Sequence, residues 1–159
     1  MPIFTRQTRI RAPFEEVWDF HSRSEGLEIL TPAFMRLTIE RVVAPDGTLD
    51  PDYLHEGARI DATVRPFGIG PRQGWTSVIV DRTTAESAAA FVDEMEDGPF
   101  PHWQHTHSFY ADGLETLLRD RIEYELPFGG LGRIAGRFGD LGFEPMFRYR
   151  HWKTREVLE

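Results

Sequence analysis

The sequence predicts an α+β domain: a curved antiparallel sheet of about seven strands, two short helices near the start, and a long C-terminal helix over a cavity. Three observations carry this. Apolar residues recur with a period of two through six consecutive segments between residues 35 and 126, the period of a half-buried strand. Turn chemistry separates those segments. Beyond residue 130 the spacing becomes helical. A sheet of this extent twists strongly, and a helix laid across it closes a hollow.

The elements follow in order. Residues 3–11 alternate Phe4, Arg6, Thr8 and Ile10 against Ile3, Thr5, Gln7 and Arg9, a first strand. Pro13 opens a helix, with Glu15 and Glu16 at its positive end and Phe14, Val17, Trp18 and His21 on one face. Ser24 can cap a second short helix that Thr31-Pro32 ends. Strands follow at 35–43, 58–66, 74–82 and 87–96, with a long turn-rich loop over 44–57 and a glycine-rich turn at 67–71. The next two strands meet at Asp112-Gly113, a hairpin signal. Residues 131–159 carry Leu131, Ile134, Phe138, Leu141, Phe147 and Trp152 at helical spacing, with a kink expected at Pro145. No repeat or second domain is visible, so residues 1–159 read as one domain.

Composition narrows the function classes. The chain has 159 residues, 40% of them hydrophobic and 28% charged, which suits one globular domain with a real core. A net charge of −8 argues against a nucleic-acid backbone as partner. The absence of cysteine excludes disulfides and thiolate catalysis. No apolar run is long enough to span a membrane, and the N-terminal residues lack a signal-peptide core. A cytoplasmic location is expected.

The chemistry concentrates in two strands. Trp103, His105, His107 and Phe109 occupy alternate positions and share one face. In the following strand Thr116, Leu118, Asp120, Ile122 and Tyr124 oppose a row that is mostly charged and must face water. Asp120 is therefore directed inward. Paired as a hairpin, the strands bring one buried carboxylate near two imidazoles. Three readings apply. His105, His107 and Asp120 can form a two-histidine, one-carboxylate metal set. A histidine oriented by Asp120 can move protons. In the favoured reading the cluster is hydrogen-bonded and fixes the polar end of a pocket. His21, His55 and His151 look isolated, Arg148 and Arg150 read as a solvated helix face, and 68–70 lacks the glycine pattern and following helix of a dinucleotide site.

The opening strand and Arg11-Ala12-Pro13-Phe14-Glu15-Glu16-Val17-Trp18-Asp19-Phe20 resemble the START-like, or SRPBCC, superfamily. Phe91-Val92-Asp93-Glu94-Met95, Gly98-Pro99-Phe100, Trp103-x-His105-x-His107-x-Phe109, Asp120-x-x-x-Tyr124 and Phe147-Arg148-Tyr149-Arg150 narrow the likeness. They resemble a poorly characterised branch labelled polyketide-cyclase-like or cell-division-inhibitor-like. The resemblance spans nearly the whole chain. It implies the helix-grip (START/Bet v 1-like) fold, a hydrophobic cavity between sheet and long helix, no cofactor and no metal. It also implies a possible epimerase-like protein partner, because similar domains occur fused to such enzymes. It implies no particular reaction.

The expected function is binding of a small hydrophobic or amphipathic ligand by a non-catalytic carrier or sensor. Trp75, Phe91, Trp103, Phe109, Leu118 and Tyr124 are the expected cavity walls, with Phe138, Leu141 and Phe147 as the helical lid. His105, His107 and Asp120 orient the ligand's polar group. The alternatives are a cyclase, dehydratase or hydrolase that uses those three residues as catalytic groups, and an accessory interaction domain.

Overall fold

The computed structural model describes the backbone of residues 2–126 and 130–159, and side chains over 2–126 and 143–159. In chain order the elements are β1 (Ile3–Ile10), α1 (Phe14–His21), α2 (Ser24–Leu30), β2 (Thr38–Val43), β3 (Arg59–Val64), β4 (Gln73–Thr84), β5 (Ala88–Glu96), β6 (His102–Asp112), β7 (Glu115–Glu125) and α3 (Gly130–Leu158). The strands form one seven-stranded sheet in the order β1-β7-β6-β5-β4-β3-β2, and every pairing is antiparallel. The first strand thus pairs with the last, as closure of the meander on its N-terminal edge requires.

Two irregularities bend the sheet. The β2–β3 register shifts between Ile39 and Arg41, and the β4–β5 register between Ile79 and Asp81. An extra residue in one strand increases local twist and reverses the inward phase beyond it. On β4, Trp75, Ser77 and Ile79 face inward before the shift. After it Asp81 turns to water and Arg82 turns in, donating to the Leu54 carbonyl and lying 4.4 Å from the Trp18 ring centroid.

Apolar burial forms two groups along the inner face. One surrounds α1, with Ile10, Val17, Phe91, Phe109 and Leu118. The other lies under α3, with Phe4, Ile122, Tyr124, Phe143 and Phe147. On β1, β6 and β7 the inward residues between these groups are polar: Arg6 and Thr8, His105 and His107, and Asp120.

Local details differ from the sequence reading. Residues 33–35 form a single 3₁₀ turn, so β2 starts at Thr38. Arg23, not Ser24, occupies the N-cap of α2. Pro145 lies inside α3, which runs through it as one helix. Gly113 has φ +63° in the β6–β7 turn, a conformation glycine adopts without strain.

Candidate functional site

A cavity of about 510 Å³ lies between the sheet and α2 and α3. Leu27, Leu30, Met35, Trp75, Ile79, Met95, Phe143 and Phe147 make most of its wall apolar. Asp93, His105, His107 and Arg150 supply a polar end. At the rim Phe34 stacks on Phe67, with ring centroids 4.9 Å apart. Phe67 is exposed and holds φ 58°.

Register builds the polar end. His107 sits opposite Asp120 on β7 and opposite Phe91 on β5, and His105 sits opposite Asp93. The His105 and His107 rings stack with centroids 3.6 Å apart, and Phe91 covers the other side of His107 at 4.0 Å. His107 Nε2 lies 2.7 Å from Asp93 Oδ2, and His105 Nε2 lies 2.7 Å from Asp120 Oδ1. His151, from α3, places Nε2 2.5 Å from Asp120 Oδ2 and Nδ1 2.7 Å from the Thr8 hydroxyl. The simplest assignment gives each imidazole its proton on Nε2, donated to a carboxylate, with Thr8 donating to His151 Nδ1.

Burial and these contacts set the charges. Burial pulls the Asp120 carboxyl upward, but the hydrogen bonds from His105 and His151, with the nearby histidine charges, hold it well below the usual carboxylate range. Asp93 behaves alike: burial raises it, and His107, His105 and Arg150 together bring it below its ordinary value. Burial, aided by His105, pushes His107 down to about 4. Burial takes His21 down to about 3 against its bond to the Val17 carbonyl. Burial also lowers Arg150, opposed by Asp120 and Asp93. The Arg150 guanidinium makes no hydrogen bond or ion pair among the described residues, and its Nε is enclosed without a partner.

The structure distributes the expected site residues in two layers. Trp75, Phe91, Trp103, His105, His107 and Phe147 line the cavity. Phe109, Leu118, Asp120 and Tyr124 are buried behind that wall: Phe109 packs on Trp18 and His21, and Tyr124 on Phe143 and Phe100. Phe138 and Leu141 lie outside the described side chains.

Three residues correct the sequence reading. His151 is not isolated, because α3 carries it onto Asp120. Arg150 is not on a solvated face but lines the cavity, whereas Arg148 is exposed and pairs with Glu144. Asp93, unused in the sequence reading, holds His107. Asp93 gives the same signal that exposed Asp120, an acid between inward apolar neighbours, here Phe91 and Met95. His151 had a weaker signal, one turn beyond Phe147. The described ligand atoms that could hold a metal, all within 4.8 Å of one another, belong to Asp93, His105 and His107. Asp120 is not in that group.

A family profile described as polyketide cyclase / dehydrase and lipid transport matches residues 10–146. The chain belongs to this family. Solved structures place its fold in the START/Bet v 1-like helix-grip class. A START superfamily protein from Mycobacterium smegmatis superposes with TM-score 0.67 at 11% identity, over 99% of each chain. Norcoclaurine synthase from Thalictrum flavum gives 0.65 at 16% identity, over 99% of this chain and 86% of that one. A nucleoside-diphosphate sugar epimerase from Corynebacterium glutamicum gives 0.58 at 20% identity, over 96% of this chain and 28% of the other. That likeness is one of fold and does not support an epimerase partner. No curated protein matches the chain. Among the described residues of this polyketide cyclase/dehydrase-family domain, no helix is long and apolar enough to cross a membrane.

Proposed function

We propose that this domain binds a small hydrophobic or amphipathic molecule in its internal cavity, as a carrier or sensor. The observation that carries the reading is the 510 Å³ hollow, apolar along most of its wall and polar at one end. That volume falls within the range of about 300–1,000 Å³ usual for small-molecule sites. Its apolar wall favours a hydrocarbon or aromatic body. Asp93, His105, His107 and Arg150 would orient a polar group, because buried donors and acceptors select a ligand that satisfies them. Native mass spectrometry of freshly purified protein tests this. A retained small molecule, displaced by an apolar fluorescent probe, is expected. Protein of bare mass that also fails to bind the probe overturns the reading.

A second reading rests on the cavity-facing imidazoles. His105, held through Nε2 by Asp120 and lining the cavity, is arranged as a general base beside its orienting carboxylate is. This supports a cyclase or dehydratase, a chemistry consistent with the family's description. Incubation with the retained molecule separates the two. A carrier returns it unchanged, and an enzyme returns a product of altered mass or ring count.

A further inference from the structure

His107 Nδ1 is buried, has no hydrogen-bond partner, and lies 3.4 Å from Asp120 Oδ1. With the proton on Nε2, that lone pair faces a carboxylate oxygen, which is repulsive. A neutral imidazole has only one proton, and Asp93 holds it on the other nitrogen. Beside it, ligand atoms of Asp93, His105 and His107 lie within 4.8 Å of one another at the cavity wall.

We propose that Asp93, His105 and His107 bind a divalent transition-metal ion at the cavity wall. The ion takes Nε2 of His107, Nδ1 of His105 and a carboxylate oxygen of Asp93. Asp93 Oδ2 is 2.7 Å from the first of these nitrogens and 3.8 Å from the second, spacings that a single ion's ligands can adopt with small shifts. The His107 proton moves to Nδ1 and points at Asp120. His105 keeps its Nε2 hydrogen bond to Asp120, and the His107 Nδ1 nitrogen stands 3.4 Å from the same carboxylate oxygen. His151, anchored by Thr8, holds the second oxygen of Asp120. A carboxylate behind the ligating imidazoles is the usual support of a histidine metal site. Two imidazoles and one carboxylate suit zinc and its first-row neighbours better than calcium or magnesium. The remaining coordination positions face the cavity. The sequence had pointed to Asp120 as the third ligand; the geometry makes it the outer support and Asp93 the ligand.

The proposal does not depend on what the cavity carries, so its test needs no organic ligand. Chelator-stripped protein is titrated with Zn²⁺ by calorimetry and with Co²⁺ by visible absorption, and its histidine nitrogens are followed by ¹⁵N NMR. One saturable equivalent is expected, with His107 protonated on Nδ1 alone in the zinc form. Asp93→Asn should abolish binding, Asp120→Asn should weaken it about 10–100-fold, and His55→Gln, at an exposed histidine, should leave it unchanged. The rival occupant of the lone pair is a second proton. A His107 found doubly protonated and unmoved by Zn²⁺ overturns the proposal. So does saturable binding that survives Asp93→Asn, or no saturable binding at all. If the Asn variants fail to fold by circular dichroism, the ¹⁵N spectra of the unsubstituted chain decide.

Discussion

Asp120 is 3% exposed and accepts from two imidazoles on different elements, β6 and α3. Removing a carboxylate so placed leaves both donors buried without a partner. Asp120→Ala should therefore cost about 2–6 kcal/mol, from about 1–3 kcal/mol for each buried donor left unpaired. Asp120→Asn keeps an acceptor oxygen and should cost less. Urea denaturation of the chelator-treated variants gives both values, and an alanine variant within about 1 kcal/mol of the parent would refute the assignment. The same residues set the pH response. His107 and His21 titrate near 4 and 3 when folded, against 6.5 for an ordinary histidine. Below 6.5 the unfolded chain takes up protons that the folded chain refuses, so stability falls as pH drops toward 4. Asp93 and Asp120 act in the same direction but lower down. Their depressed values stabilise the fold above the ordinary 3.8, and that contribution is lost as pH falls through the folded values. The expected slope between pH 6.5 and 4 is up to about 1.4 kcal/mol per unit for each histidine. Denaturation at several pH values in the presence of a chelator measures it. A His21→Leu variant should show roughly half the slope, and a flat profile in the parent would count against both burials. At this scale alternation sends Asp120 and the two histidines inward, and the hairpin brings His105 to Asp120. The other partners, Asp93 on β5 and His151 on α3, depend on register with a neighbouring strand and a distant helix face, which is not written in a local period.

Elements meet closely where the β5–β6 turn crosses β4. A Cβ on Gly98 would stand 2.3 Å from Met95 Sδ and 2.9 Å from Trp75 Cβ. Met95 can swing away, but the Trp75 Cβ is fixed to β4 and cannot. Both side chains line the cavity. Gly98→Ala should therefore cost about 1–3 kcal/mol by overpacking and shift the tryptophan fluorescence. A Gly98→Ala/Met95→Ala double variant should recover only part of the loss. Thermal denaturation of the pair tests the geometry, and full recovery would show that Trp75 yields after all. The succession of elements and the β6–β7 hairpin were readable because each is a local matter of period and turn residue, whereas the pairing of β1 with β7 joins the two ends of the chain. The β4 shift was not. Its segment alternates well enough to pass as one regular strand, yet the phase reverses between Ile79 and Asp81. What reverses it is the partner strand and the sheet's curvature, which also determine that Arg82 closes over Trp18.

For the whole molecule, the sequence could foresee a hollow but not whether the aromatics would fill it. The answer depends on how far α3 stands from the sheet and how strongly the two register shifts bend it. Both are properties of the assembled fold. Phe109, Leu118 and Tyr124 pack away behind the wall, and 510 Å³ stays open in front of His105 and His107. Open apolar volume forfeits dispersion contacts that a filled core would have, so this molecule should be more stable occupied than stripped. A ligand that binds only the folded chain adds about 2.7 kcal/mol at one hundred times its dissociation constant. For a domain of this size that raises the melting temperature by about 5–10 °C. Protein unfolded in denaturant, extracted with solvent and refolded should therefore melt lower than protein taken directly from the cell. Returning the extracted material should restore the difference, with the gain following the logarithm of its concentration. Equal melting temperatures before and after extraction, with no response to any added apolar compound, would mean that the hollow is a packing defect and not a binding site.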